Sequence, residues 1–205
     1  MKIHLENTGK RFNRDWIFRN LTYDFTGGKS YAIIGPNGSG KSTLLQVLAS
    51  SMDISEGKCS WKEGDQEIPN DQLYQHLSIA APYLEITEEM TALEFLKFHA
   101  TFKPLMHSMS PLDILEEVEL KKAAGKQIRF FSSGMKQRIK LAQAVFSDVP
   151  ILLLDEPCTN FDEAGYALYH HLISTYCNGK LVIISTNDLK EYHFCNEQLL
   201  ITRFK

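Results

Sequence analysis

The sequence predicts an α/β protein with a mixed or parallel core sheet flanked by helices, an N-terminal antiparallel β subdomain and a helical insert. Two continuous apolar runs, at residues 151–154 and 181–184, are typical of parallel strands that are buried on both faces. A helical pattern over residues 162–176 separates them, and the order strand, helix, strand indicates a parallel sheet. Residues 82–145 change from strand-like to helical periodicity, which predicts the insert.

The N-terminal elements are predicted from short alternations of apolar and polar residues. Alternation within residues 1–25 predicts strands, with one break at the Gly9, Lys10, Arg11 turn and a second at residues 13–15. The polar segment 53–72, which is punctuated by glycine and proline, predicts a surface hairpin. The same patterns predict further short elements, namely strands at 31–34 and 77–81 and a helix at 43–49.

The insert carries its own start signals. Thr91 and Glu94 form a capping-box pattern at the head of a helix, and Ser110 followed by proline begins a second helix that is expected to end near Leu120. A third helix is expected to begin at Ser132 and Ser133, and Asn178-Gly179 is expected to close helix 162–176. The whole chain, 1–205, is therefore expected to form a single domain, with a core lobe at about 1–81 and 146–205 and a helical subdomain at about 82–145.

Composition and charge exclude several classes of protein. The net charge of −3 and the pI near 6.2 give no basic excess, so nucleic acid is not expected as a partner. No apolar run approaches the ~20 residues that span a bilayer, and we expect a soluble, cytoplasmic chain. The four cysteines show neither C-x-x-C nor metal-ligand spacing and are expected to be reduced thiols.

The most specific motif is the phosphate loop, residues 35–43, which fits G-x-x-x-x-G-K-[ST] between a strand and a helix. Glycines allow the backbone to curl so that its amide groups surround an anionic polyphosphate. Lys41 is placed to contact the β- and γ-phosphates, and the Ser42 hydroxyl is suited to bind Mg²⁺. The motif predicts Mg-nucleotide binding. The candidate nucleotide-binding residues are Gly35, Asn37, Gly38, Ser39, Gly40, Lys41, Ser42 and Thr43.

A carboxylate pair follows the first buried strand. Asp155 and Glu156 come directly after Leu154, at the end of a strand where ligands of α/β sheets bind. Asp155 is suited to hold Mg²⁺ together with Ser42, and Glu156 to orient and polarise an attacking water. The alternative for such a pair is a solvated acidic turn.

A second anion site is predicted at the serine–glycine turn, residues 132–134. Ser132, Ser133 and Gly134 stand at a helix start, where free amide groups and the positive end of the helix dipole favour phosphate.

Together these residues resemble the ATP-binding cassette (ABC) ATPases, which are P-loop NTPases, over essentially the whole chain. The resemblance implies a Walker A loop at 35–43, a signature motif at 131–135, and a Walker B segment at 151–156 with Glu156 as the catalytic glutamate. It also implies a D-loop at 159–162 that includes Asp162, and a switch motif at Ser185-Thr186-Asn187, with Asn187 where the family has its switch histidine. Phe12 lies where the family has an aromatic that stacks on adenine; Trp16 is the second choice, and either residue could instead belong to the core.

The resemblance further implies that two cassettes pair head to tail and sandwich ATP, with Mg²⁺, between the Walker A loop of one and the signature helix of the other. It implies a polytopic membrane permease as partner and a place on the cytoplasmic face of the cell membrane, with a homodimer or a pair of related cassettes. The expected function is to energise a transporter of the compact bacterial exporter type. The alternatives are a soluble ABC ATPase and a slow nucleotide-dependent switch.

The sequence departs from the family pattern at three places. Ser133 and Met135 replace a glycine and a glutamine of the signature. Residues 77–86 contain no glutamine to contact Mg²⁺ and water, and Glu85 is a speculative substitute. Asn187 replaces a histidine; its amide can donate a hydrogen bond but cannot carry a proton to or from phosphate.

Overall fold

The computed structural model describes all 205 residues and contains two sheets and six α-helices. The strands are β1 (Lys2–Phe12), β2 (Asp15–Thr26), β3 (Ser30–Ile34), β4 (Glu56–Glu63), β5 (Gln66–Ile68), β6 (Leu77–Ala80), β7 (Ile151–Asp155), β8 (Leu181–Thr186) and β9 (Glu197–Leu200). The helices are α1 (Lys41–Leu48), α2 (Ala92–Phe102), α3 (Pro111–Glu117), α4 (Ser133–Val145), α5 (Glu163–Tyr176) and α6 (Leu189–Tyr192).

The N-terminal sheet is antiparallel and has the strand order β2-β1-β4-β5. The expected break at Gly9, Lys10 and Arg11 is wrong, because β1 continues to Phe12. Register shifts in the β1–β2 ladder absorb the irregularity that the glycine introduces, and both neighbouring strands still pair with this part of β1. The predicted hairpin between residues 53 and 72 is present as β4 and β5.

The core sheet has the order β6-β7-β8-β3-β9, and β3 pairs in parallel with both β8 and β9. Strand β7 is also parallel to β8. The predicted fold class, a parallel core sheet with flanking helices beside an antiparallel subdomain, is therefore confirmed. Strand β9 was not predicted, because its four residues show neither alternation nor an apolar run.

The chain divides into two compact units. Unit 1 contains residues 1–79, 150–156 and 179–205, and unit 2 contains residues 80–149 and 157–178. The expected subdomain boundaries differ from this division, since α5 groups with the helical unit. The reason is that α5 packs on α4, and the rings of Phe146 and Tyr176 stand 4.6 Å apart.

The core of unit 1 lies between the two sheets and α1. It includes Ile3 and Phe25 from the antiparallel sheet, Leu44 and Leu45 from α1, and the inward residues of β3, β7 and β8. Burying these side chains provides the main stabilisation of the unit, and it also fixes where the ends of the core strands lie.

Unit 2 is built on α2, α3, α4 and α5. Thr91 forms the predicted capping box, and Ser110, the predicted start of the second helix, forms one as well. Helix α3 ends at Glu117 and not near Leu120, because Glu119 adopts a left-handed backbone with φ 58° that stops the helix. None of the six helices combines the length and the apolar character needed to cross a membrane.

Candidate functional site

The phosphate loop connects β3 to α1 and relies on two glycines with left-handed backbones. Gly38 has φ 73° and Gly40 has φ 102°, a region that other residues adopt only with strain. A Cβ on Gly40 would also collide with the side chain of Ile17. Gly40 is the N-cap of α1, so the free amide groups of the helix start here and favour an anion.

Lys41, the first residue of α1, has its ammonium group inside the loop. Only 5% of the residue is exposed, and Nζ donates hydrogen bonds to the carbonyls of Gly35 at 2.9 Å and Pro36 at 3.3 Å. The lysine is therefore held within reach of whatever the loop encloses. Ser39 is also buried, and its hydroxyl has no hydrogen-bond partner.

The loop and Glu156 line one cavity of about 240 Å³ in unit 1. Seven residues besides Glu156 line it. Six of them were predicted to bind nucleotide, namely Asn37, Gly38, Gly40, Lys41, Ser42 and Thr43, and the seventh, Ile17, was not predicted. Ile17 supplies an apolar wall. Its sequence signal is indirect, because only the absence of a side chain at Gly40 makes room for it.

Asp155 is the last residue of β7 and is 2% exposed. Its Oδ1 is buried without a hydrogen-bond partner, which is rare for a carboxylate oxygen and leaves it available to a cation. Alternation along β7 places Asp155 on the face of Leu153, the face that packs with α1. The predicted pair Asp155 and Ser42 thus fits Mg²⁺ in its chemistry, since both present oxygen to a hard cation.

Glu156 follows β7 with an unusual backbone. Its φ is 43°, and its N–H donates to the Ser185 carbonyl at 2.9 Å. A left-handed residue at a strand end turns the chain abruptly, and this turn brings the carboxylate into the wall of the cavity.

Asn187 is exposed just beyond β8, and its Nδ2 donates to Asn37 Oδ1 at 3.0 Å. The structure thus brings the switch position next to the phosphate loop, although Asn187 does not line the cavity. Its predicted contact with phosphate stays a prediction.

The two aromatic candidates for adenine stacking differ in what covers them. Trp16 has the guanidinium of Arg19 4.4 Å from its ring centroid and that of Arg11 at 5.6 Å. Phe12 is 45% exposed and has the Lys10 ammonium 5.1 Å from its ring centroid. Phe12 is therefore the more accessible ring, but neither residue lines the cavity.

The serine–glycine turn forms a second cavity, of about 420 Å³, within unit 2. Ser132 is the N-cap of α4 and accepts a hydrogen bond from Met135 N at 3.3 Å. The same cavity contains Asp162, whose Oδ1 caps α5 through Gly165 N at 2.9 Å. The structure thus brings together Ser132, Ser133 and Gly134 of the predicted signature motif and Asp162 of the predicted D-loop.

Glu85 lies in a third cavity of unit 2, of about 720 Å³, with Glu88, Lys136 and Lys140. Lys140 Nζ donates to the carbonyls of Ala81 at 3.4 Å and Pro82 at 3.1 Å. Burial, followed by the neighbouring Lys136, lowers the pKa of Lys140. None of the predicted nucleotide-binding residues lines this cavity, so the position of Glu85 does not support it as a substitute for the absent glutamine.

Comparison with known proteins identifies one family. The family described as ABC transporter matches residues 18–159. An uncharacterised ABC transporter ATP-binding protein of Bacillus subtilis, YybJ, is 31% identical over 92% of this chain and 86% of its own length. The cytochrome c biogenesis ATP-binding export protein CcmA of Vibrio vulnificus is 31% identical over 83% of this chain and 84% of its own length.

Among solved structures, the dimeric bacterial ABC transporter cassette MJ0796 resembles the present fold with a TM-score of 0.81. The match covers 96% of this chain and 94% of that one at 24% identity. At this identity the likeness shows the fold alone.

Proposed function

Because the chain belongs to the ABC transporter family and is an ABC ATPase, we propose that it energises a membrane transporter through ATP-dependent dimerisation. The observation that carries this proposal is the cavity at the start of α1, where Lys41, Ser42 and Glu156 converge. An anion-binding helix start, a cation and a carboxylate are the groups that phosphoryl transfer to water requires.

The phosphate loop binds the triphosphate of ATP. Its amide groups point at the phosphate oxygens, and Lys41 exchanges the carbonyls of Gly35 and Pro36 for the β- and γ-phosphates. Ile17 packs beside the loop and provides an apolar wall for the nucleotide. Phe12 stacks on the adenine ring.

Asp155 and Ser42 would hold Mg²⁺, and the unpartnered Oδ1 of Asp155 supports this assignment. When bound, the cation neutralises charge that develops on the phosphate oxygens. Ser42 presents its hydroxyl from the first turn of α1, and Asp155 presents its carboxylate from the neighbouring end of β7.

Glu156 orients the attacking water and accepts its proton, while the bond between the γ-phosphorus and the bridging oxygen breaks to give ADP and phosphate. Asn187 contacts the γ-phosphate with its amide, from a position already bonded to Asn37. Because an amide does not titrate, Glu156 alone acts as the base.

The serine–glycine turn of a second cassette closes over the nucleotide. Ser132, Ser133 and Gly134 offer hydroxyl and amide donors at the start of α4, and Asp162 lies in the same cavity. The dimer in which the cassette MJ0796 was solved supports this pairing. ATP binding closes the pair, and hydrolysis opens it.

Coupling to transport requires a partner in the membrane. The relative CcmA is named as an ATP-binding export protein, which supports a polytopic permease as the partner of this chain. The cassette then sits peripherally on the cytoplasmic face of the cell membrane, and the permease selects the transported substrate.

A second candidate function, a slow nucleotide-dependent switch, is favoured by one contact and by one missing residue type. Asn187 is bonded to the phosphate loop through Asn37, and residues 77–86 supply no glutamine to position water. A protein with these features would bind ATP and dimerise with little turnover. Sustained phosphate release by the purified chain, well above that of a Lys41→Ala variant, would exclude this candidate.

The transporter proposal is tested by purifying the tagged chain from detergent-solubilised native membranes. We expect a polytopic membrane protein to be recovered in near-equal amount. Lys41→Ala, which removes ATP binding, lowers this recovery only if nucleotide controls the assembly of the two proteins. Recovery of the chain alone, or with soluble proteins, from well-extracted membranes would favour a soluble ABC ATPase.

A further inference from the structure

Ser185, at the end of β8, has a buried hydroxyl with no hydrogen-bond partner. The residue is 0% exposed, and its Oγ lacks a donor or acceptor within the protein. Buried polar groups in folded proteins are nearly always paired, so an unpaired hydroxyl at this place requires an explanation.

The residue opposite Ser185 has the same property. Strands β7 and β8 are parallel, and their register places Asp155 beside Ser185. Asp155 Oδ1 is also buried and unpartnered. A hydroxyl can donate a hydrogen bond and a carboxylate oxygen can accept one, so the two unpaired groups are chemically complementary.

Both side chains face the start of α1. Alternation along the strands places Asp155 on the face of Leu153 and Ser185 on the face of Ile183. Leu153 and Ile183 belong to the core cluster that contains Leu44 of α1. Ser42 is in the first turn of that helix.

The backbone of Ser185 already has a separate role, since its carbonyl accepts the Glu156 N–H at 2.9 Å. An alanine would preserve this bond, because it involves no side-chain atom. The function of the hydroxyl can therefore be tested without disturbing the contact that holds Glu156.

We propose that Ser185 is a positioning residue for metal binding, whose hydroxyl donates to Asp155 and orients its carboxylate toward a divalent cation shared with Ser42. The inference rests on the proposed function, and it gives a role to Ser185, which the predicted switch motif includes without assigning it one. The two side chains are not bonded to each other in this structure, so the bond forms when the carboxylate turns toward the cation.

Such outer partners of a metal ligand influence metal affinity by holding the ligand in its binding orientation. Their loss typically weakens metal binding by about 10- to 100-fold. The effect should appear in the dependence on Mg²⁺ and not in the affinity for the metal-free nucleotide, because Ser185 is not part of the phosphate loop.

The test is equilibrium binding of a fluorescent ATP analogue, titrated with Mg²⁺ and repeated in EDTA. For Ser185→Ala we expect the Mg²⁺ concentration at half-maximal enhancement of binding to rise by about 10-fold or more, with unchanged affinity in EDTA. Ser185→Thr, which keeps the hydroxyl, should restore the wild-type requirement. Ser78→Ala removes another buried serine of the same sheet and should leave the requirement unchanged.

An unchanged Mg²⁺ requirement in Ser185→Ala would overturn the inference. Equal losses of binding in Mg²⁺ and in EDTA would also overturn it, because they would indicate a structural defect. Failure of the proposed function gives a different result: the wild-type chain itself would show no enhancement of nucleotide binding by Mg²⁺.

Discussion

Glu156, the proposed catalytic base, shows how a single backbone angle can place a side chain at a cavity. Its φ of 43° lies in a region that costs a residue with a side chain about 1–3 kcal/mol. The hydrogen bond from its N–H to Ser185 at 2.9 Å helps to hold it there. With an extended backbone, alternation would place the Glu156 side chain on the sheet face opposite Asp155, so the turn is what brings it to the cavity.

Glu156→Gln should reduce ATP turnover by about 10²- to 10⁴-fold, the usual contribution of a general base. ATP affinity should be retained, because glutamine preserves the size of the side chain and the loop residues are unchanged. Phosphate release and nucleotide binding, measured on the same preparation, separate the two effects. Glu63→Gln, at an exposed position of β4, is the matched control. Unchanged turnover in Glu156→Gln would contradict the assignment.

At the residue scale, the sequence predicts the candidate site residues that lie within a motif. It does not predict the residues that reach the site through tertiary contacts. Lys41 and Ser42 follow from spacing alone, because the loop is one continuous segment. Ser185 and Ile17 do not, since their roles depend on the strand register and on close packing against Gly40. Their chemistry is visible only when neighbours distant in sequence are known.

Helix α2 carries a histidine that is held neutral by its surroundings. His99 Nε2 lies 2.9 Å from Ser147 Oγ, which itself donates to the Gln143 carbonyl at 2.7 Å. The serine proton is thus committed to Gln143, and the imidazole donates from Nε2. Burial, followed by the charge of Lys103, lowers the pKa of His99 to about 4.

This lowered pKa predicts a loss of stability in acid. Between pH 6.5 and about 4 the unfolded chain binds a proton at His99 that the folded chain excludes, so the free energy of unfolding falls as pH falls through this window. His99→Gln, whose amide can still donate to Ser147, should flatten the dependence. Urea denaturation at several pH values measures it. His107→Gln is the control, since that side chain is 94% exposed, and an equal flattening by both variants would contradict the prediction.

At the element scale, prediction succeeds where local signals agree and fails where pairing overrides them. The capping boxes at Thr91 and Ser110 set their helix starts as expected. Gly9 suggested a turn, but two neighbouring strands keep β1 extended through it. Strand β9 exists because β3 pairs with it, and its own four residues carry no strand signal.

At the scale of the whole molecule, each unit contains one of the two cavities that we propose to bind nucleotide. The phosphate loop and Glu156 line a cavity of unit 1, while the serine–glycine turn lines a cavity of unit 2. In the proposed pair, the two halves around each ATP come from different chains. Dimerisation should therefore depend on ATP and on the shape of the turn at α4.

Gly134→Ala should separate folding from dimerisation. A Cβ on Gly134 would meet nothing closer than Asn160 O at 3.6 Å, an ordinary contact, so the subunit should fold with unchanged or higher stability. The added methyl group nevertheless stands where the turn must approach phosphate. In a Glu156→Gln background, which retains ATP, we expect light scattering to show an ATP-dependent dimer that Gly134→Ala abolishes. Gly125→Ala, at a position with open space, should leave the dimer intact. An equally stable dimer with Gly134→Ala would mean that the serine–glycine turn does not close over the nucleotide.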